Sequence, residues 1–204
     1  MTEEEWEPCR DAQRLVEQLY GRAGLQRKRR LFLCGCFRMQ TGNGDRLARF
    51  VDIAERFADN CATHEERRLA NITLLTGIQS REPIDGQQLV YWATLRDSSY
   101  GNLAACLRDF YRPGDDREYI LCDLIRDIFG NPFRPVTFDP NWRTSTVVAL
   151  AQQMYDSRDF APMPILADAL QDAGCEHPDI LAHCRGEGPH VRGCWVVDGV
   201  LGKA

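Results

Sequence analysis

The hydrophobic residues of this chain recur at the spacing of a helix and not at that of a strand. Leu15, Val16, Leu19 and Tyr20, for example, would form one apolar stripe on a helix over residues 11–21. No stretch alternates apolar and polar residues between hairpin turn signals. The pattern predicts an all-α fold that begins as a helical bundle, with further helices over 25–40, 45–60 and 63–76.

Local signals mark where several helices begin and end. Thr63 and Glu66 have the spacing of a capping box, and Ser145 is the predicted N-cap of the helix that follows it. Gly130 is a predicted C-cap. Three further helices are predicted over 163–174, 177–186 and 189–202, because each of these segments has proline near its start and glycine near its end. Together they predict a C-terminal array of short antiparallel helical hairpins.

The helix predicted over 115–130 has an apolar stripe and leaves Asp123, Arg126 and Asp127 on its other faces. A proline-rich connector over 131–142 follows this helix. Its aromatic residues would be unusual in a loose linker, so we expect the connector to pack across the helices through Phe133, Phe138 and Trp142.

The clearest linker signal is the sequence RPGDD at 112–116. It divides the chain into an N-terminal helical bundle over 1–77, a variable connector over 78–114 and a C-terminal hairpin module over 115–204. The connector is predicted to contain two shorter helices, broken near 98–101. We expect these parts to form one continuous structural unit.

Composition narrows the class of protein. The 204 residues are 44% hydrophobic and carry a formal charge of −5, which favours a folded, mildly acidic chain over a general nucleic-acid binder. The longest apolar run, at 31–37, is far shorter than the roughly 20 residues of a membrane span. The amino terminus is acidic and has no apolar signal region. Nine scattered cysteines are typical of reduced thiols, so we expect a cytoplasmic protein without disulfides.

The densest chemistry lies in HCRGEGPHVRGCW, residues 183–195. If a helix ends at Arg185 and the next begins at Pro189, four zinc-ligand side chains lie at one end of a hairpin: His183, Cys184, His190 and Cys194, with Cys175 as a substitute. The same sequence is also consistent with a packed hairpin whose cysteines are apolar filler, because no CxxC or HxxxH pair is present. Zinc is therefore the one candidate cofactor, beside the alternative of none.

A thiol enzyme is a further interpretation of the same stretch. Cys184 or Cys194 would be the nucleophile, a neighbouring histidine the base, and Arg185 and Arg192 the anion-binding groups. The sequence provides no glycine-rich nucleophile turn and no third group that would orient the histidine. The sequence HEERR at 64–68 lacks the second histidine of a zincin helix.

A basic run occupies the first turn of the second predicted helix, where positive charge opposes the helix dipole. It is the candidate nucleic-acid site of the chain, formed by Arg27, Lys28, Arg29 and Arg30. Solvated surface charge is the usual explanation for such a run, and the overall acidity of the chain argues against nucleic acid as a partner.

Several segments together resemble a large paralogous family of uncharacterised bacterial helical proteins. The resemblance covers the first third and the last ninety or so residues, in RKRRLFLCGCFRMQ, LCDLIRDIFGNPFRPVTFDPNW and, most specifically, DILAHCRGEGPHVRGCWVVDGVLGK. The centre, 78–114, departs from the family pattern. The resemblance implies a fixed helical scaffold with a centre that varies among paralogs, and it implies no particular activity.

These observations predict a non-catalytic scaffold or adaptor that binds an unidentified protein partner. Aromatic residues are enriched at binding hot spots, and the variable centre contains a cluster of them: Tyr91, Trp92, Tyr100, Phe110 and Tyr111. Core packing is the other explanation for these side chains. The alternative function is a small zinc- or thiol-dependent enzyme centred on the C-terminal histidines and cysteines.

Overall fold

The computed structural model describes residues 1–41, 47–78, 87–97, 100–110 and 117–203. Every regular element in these ranges is helical, which confirms the predicted all-α fold. None of the helices in these ranges has the length and apolar character that a membrane crossing requires. The helices are α1 Glu3–Trp6, α2 Ala12–Glu17, α3 Gln26–Thr41, α4 Ala48–Ala58, α5 His64–Ile78, α6 Gln87–Thr94, α7 Tyr100–Phe110, α8 Arg117–Phe129, α9 Ser145–Ser157, α10 Met163–Asp172, α11 Pro178–Arg185 and α12 Trp195–Leu201, with a 3₁₀ turn at Pro140–Trp142.

The chain divides into two compact units, unit 1 over Met1–Cys122 and unit 2 over Asp123–Ala204. The division falls inside α8, later than the boundary predicted after residue 114, and the predicted connector over 78–114 falls within unit 1. The first turns of α8 contact the rest of unit 1, because the Arg10 guanidinium lies 5.7 Å from the ring centre of Tyr119. The linker sequence RPGDD lies outside the described residues.

Unit 1 is built around α3, which packs against α4, α6 and α7. Helix α5 completes the bundle by packing against α4 and α6. The apolar stripe predicted for the first helix is wrong at Tyr20, whose side chain is largely exposed. Helix α2 ends at Glu17 and continues as a tighter turn, which rotates Tyr20 away from the buried face. The largest buried side chains include Trp6, Leu15, Phe32, Phe37, Leu74 and Leu103.

Two predicted helix starts can be compared with the observed caps. The capping box at α5 is confirmed, since the Thr63 amide donates to Glu66 Oε2 at 2.8 Å and the Glu66 amide donates to Thr63 Oγ1 at 3.1 Å. The predicted N-cap of α9 is wrong by one residue. The Thr144 side chain, and not that of Ser145, accepts the hydrogen bond from the Val147 amide.

Unit 2 packs α9, α10, α11 and α12 around one apolar core. The prediction that the connector packs across the helices is confirmed at Phe138 and Trp142, which lie against this core. The Phe138 ring also contacts Trp195, with ring centres 6.1 Å apart. A Cβ atom at Gly199 would lie 2.1 Å from the Phe138 ring, so only glycine lets α12 approach the connector this closely.

Candidate functional site

Four side chains of unit 2 converge on one point. Asp127 lies on α8, His183 on α11, and His190 and Cys194 on the connection between α11 and α12. One ligand atom of each lies within 4.8 Å of those of the other three, and these residue types could together hold a metal ion. We call these four residues the Asp/His/His/Cys cluster.

The Asp127 carboxylate is the centre of the cluster. Nδ1 of His190 lies 2.7 Å from Oδ1 of Asp127, and Nε2 of His183 lies 3.2 Å from the same oxygen. The other oxygen, Oδ2, accepts a hydrogen bond of 3.1 Å from the Val191 amide. Nε2 of His183 is also 3.2 Å from Sγ of Cys194. Nitrogen, oxygen and sulfur atoms are thereby brought to hydrogen-bond distance of one another.

The backbone conformation of residues 186–194 places His190 and Cys194 beside Asp127 and His183. Helix α11 ends at Arg185, where the Gly186 amide donates to the His183 carbonyl. The helix predicted to begin at Pro189 is wrong, because α12 begins only at Trp195. Gly193 has a φ of +99°, which a right-handed helix excludes, and the Val191 amide donates to Asp127. His190 and Cys194 therefore meet through a turn and not along a helix face.

Burial and hydrogen bonding oppose each other at Asp127. Burial raises the pKa of this carboxyl group, but the hydrogen bonds and charges of His183 and His190 lower it, and its net pKa lies below the ordinary value. The pKa of the Cys194 thiol is well above its ordinary value because the thiol is buried and Asp127 is close. The cluster thus contains an ionised carboxylate and, in the absence of a cation, a protonated thiol.

Three of the four zinc ligands proposed from the sequence belong to the cluster: His183, His190 and Cys194. Cys184 does not, and it lies instead in the apolar core of unit 2 with the proposed substitute Cys175. Asp127 takes the fourth place. The sequence places Asp127 off the apolar stripe of its helix, but the residue is nevertheless buried, with only 2% of its surface exposed. Asp127 precedes His190 by 63 residues, so no local motif in the sequence connects the two.

The groups proposed for a thiol enzyme have structural partners within unit 2. Burial raises the pKa of Cys184 to about 12, which disfavours the nucleophilic thiolate at neutral pH. Arg185 contacts Asp168 at 2.9 Å and Gln171 at 2.8 Å. Nε of Arg192 donates to the Tyr155 carbonyl at 2.9 Å, and its guanidinium lies over the Tyr155 ring.

The basic run at the start of α3 is used mainly within unit 1. Arg27 pairs with Asp59 at 3.0 Å, and Arg29, which is buried, donates to the carbonyls of residues 19 and 22. Arg30 is also buried and donates to three backbone carbonyls at the carboxyl end of α6. Lys28 is half-buried. Arg27, Arg29 and Arg30 thus bind groups of this chain, and Lys28 also interacts within it.

The aromatic residues proposed as a partner site are only partly described. Tyr91 and Trp92 lie on α6 and are half-buried. The Tyr91 carbonyl accepts a hydrogen bond from the Asn71 side chain, which ties α6 to α5. The side chains of Tyr100 and Phe110, and the whole of Tyr111, lie outside the described residues.

No protein-family model, curated protein or solved structure matches this chain. The family resemblance of the C-terminal motif therefore stays a prediction.

The burial of the cysteines predicts which thiols react rapidly with a labelling reagent. All nine cysteines are free, and Cys61 alone among them is exposed. An aromatic disulfide reagent at neutral pH should therefore label one thiol rapidly in the native protein and all nine after denaturation. Cys61→Ser should remove the rapid phase. Rapid labelling of Cys184 or Cys194 in Cys61→Ser would restore the thiol enzyme as an interpretation.

Proposed function

We propose that this protein is a non-catalytic helical scaffold that binds a protein partner through an exposed face of α5. The observation that carries the proposal is a row of three apolar side chains at a spacing of three residues. Leu69, Ile72 and Leu75 are 53%, 46% and 37% exposed. Single exposed apolar residues are ordinary on protein surfaces, whereas a contiguous row on one helix is typical of a binding face.

The packing of α5 supports the proposal. The helix buries Arg67, Ala70 and Leu74 against its own unit, so the apolar row faces away from that packing. From the rise and rotation per residue of an α-helix, the row covers about 9 Å of helix length and about a third of the helix circumference. These dimensions suit one apolar helix or strand of a partner protein. The proposal moves the partner surface from the predicted aromatic residues of the centre to α5.

The chemistry of the other candidate groups also favours a scaffold over an enzyme. The thiols proposed as nucleophiles are buried, and Arg185 and Arg192, proposed to bind an anion, contact other groups of unit 2. An enzyme needs at least one reactive group that a substrate can reach.

Photo-crosslinking in the native host cells tests the proposal. A benzophenone amino acid placed at position 72 should give a discrete adduct with a partner protein. The matched control is position 165, because Ile165 is another exposed isoleucine, on α10, at 59% exposure. Leu69→Gln together with Leu75→Gln should reduce the adduct from position 72 about tenfold, as expected for the loss of hot-spot contacts.

Two results would contradict the proposal. One is the same set of adducts at the same yield from positions 72 and 165, which would indicate random collision. The other is an adduct from position 72 that the double glutamine variant leaves unchanged. Circular dichroism of each variant should match the parent protein, because the substituted positions face away from the core.

A further inference from the structure

We propose that the Asp/His/His/Cys cluster is a closed binding site for one zinc ion. Asp127, His183, His190 and Cys194 supply one oxygen, two nitrogens and one sulfur, all within 4.8 Å of one another. This site is independent of the α5 face proposed above.

The spacing of the donor atoms is close to that of a tetrahedral zinc site. Bonds of about 2.0–2.3 Å place the ligand atoms of such a site roughly 3.3–3.7 Å apart. The observed separations are 2.7 Å between His190 and Asp127, 3.2 Å between His183 and Asp127, and 3.2 Å between His183 and Cys194. An ion therefore requires these three pairs of atoms to move apart by less than about 1 Å, and the more widely spaced pairs, which lie within 4.8 Å, to approach by about 1 Å.

The donor types select the kind of metal. Magnesium and calcium prefer sites made of oxygen atoms alone, whereas imidazole and thiolate favour zinc and related transition metals. The ionised Asp127 and a thiolate at Cys194 would together neutralise a divalent cation. Zinc binding would remove the proton from the Cys194 thiol, which passes to solvent, and convert a buried S–H group into a metal ligand.

Neighbouring groups orient two of the ligands. The Val191 amide holds Oδ2 of Asp127 and leaves Oδ1 directed at the two histidines. The His183 ring lies against Trp195, with ring centres 5.2 Å apart. Trp195 in turn packs on Gly130, where a Cβ atom would lie 3.3 Å from the indole. Such supporting contacts fix ligand geometry before the ion arrives.

His190 limits the affinity of the site. An ion bound at Nδ1 leaves the imidazole proton on Nε2, and this atom is buried without a hydrogen-bond partner. A missing outer partner weakens metal binding by about 10- to 100-fold. We therefore expect a dissociation constant on the order of 1–100 nM, weaker than that of a structural zinc site with a complete outer shell.

Burial indicates a structural and not a catalytic ion. Catalytic zinc sites keep one position for water or substrate, while structural sites use four protein ligands. Asp127 is 2% exposed and Cys194 is fully buried, and all four positions would be taken by protein atoms. The ion would join α8 and α11 to the segment over 186–194.

Cobalt titration of the chelator-treated full chain tests the site. We expect one Co²⁺ per chain, with tetrahedral ligand-field bands and a thiolate-to-cobalt charge-transfer band, both abolished by one equivalent of Zn²⁺. Cys194→Ser should remove the charge-transfer band and weaken zinc binding at least tenfold. The matched control is Cys184→Ser, which changes a buried thiol on α11 outside the cluster and should keep both bands.

X-ray absorption at the zinc edge of the parent protein makes the test independent of variant folding. We expect one sulfur and three nitrogen or oxygen neighbours. The proposal is overturned if the parent protein binds less than about a tenth of an equivalent of zinc at micromolar concentration. It is equally overturned if the sulfur neighbour is absent, or if Cys184→Ser loses the charge-transfer band while Cys194→Ser keeps it.

Discussion

Replacing Asp127 with alanine should lower the free energy of unfolding of unit 2 by about 3 kcal/mol, the range seen when one member of a buried charged network is removed. The Asp127 side chain binds His183, His190 and the Val191 amide. Alanine would leave these groups buried without their acceptor. The effect should appear as faster amide hydrogen exchange in the peptides of 178–203, together with a lower urea midpoint.

Asp123→Ala is the matched control for this prediction. Asp123 lies on the same helix, is 41% exposed and pairs with Arg126 at 3.2 Å. An ion pair with one exposed carboxylate, between residues three apart on one helix, contributes about 0–1 kcal/mol. Equal losses from Asp123→Ala and Asp127→Ala would show that the hydrogen bonds of Asp127 do not stabilise unit 2. The comparison is made on chelator-treated protein, so its outcome is separate from that of the zinc proposal.

Arg30→Ala should destabilise unit 1 by about 2–4 kcal/mol. Arg30 is 3% exposed, and its guanidinium donates to the carbonyls of Ala93, Leu95 and Arg96 at the carboxyl end of α6. It also lies 4.8 Å from the Phe57 ring centre. Burial lowers the pKa of Arg30 to about 10, so the side chain remains a cation at neutral pH and matches the negative end of the helix dipole.

Thermal or urea unfolding of unit 1 measures this loss. Arg30→Lys should recover only part of the stability, because an ammonium group cannot reach several carbonyls as the planar guanidinium does. Arg14→Ala is the control, since Arg14 is 53% exposed in a surface pair with Glu5 and should change stability by less than about 1 kcal/mol. An Arg30→Ala protein as stable as Arg14→Ala would contradict the structural role of Arg30.

The amino-acid pattern predicts much of the helical framework, and local chemistry explains why. The capping box at Thr63 and Glu66 depends only on residues three positions apart. The C-cap glycines are also local, and Gly130 and Gly174 both have positive φ values. The start of α12 is later than predicted because Gly193, with a φ of +99°, cannot belong to a right-handed helix that begins at Pro189.

The candidate site could be predicted in part for the same reason. His183, His190 and Cys194 lie within twelve residues of one another in the sequence, so their density is visible without a structure. From its spacing in the sequence, Asp127 would lie on the exposed face of its helix. In the structure, α11 and the 186–194 segment cover it. Arg29 and Arg30 similarly resemble a charged patch until the carbonyls that they bind are known. Long-range partners decide the roles of all three side chains.

The packing of Trp195 gives unit 2 an optical reporter. Its indole ring lies between the backbone at Gly130 and the His183 imidazole. Indole emission depends strongly on polar and charged groups that touch the ring. The fluorescence of Trp195 therefore changes when the charge on the groups around it, such as His183, changes. In a variant that keeps Trp195 and replaces the other three tryptophans, events at the junction of α8, α11 and α12 can thus be followed in real time without an attached dye.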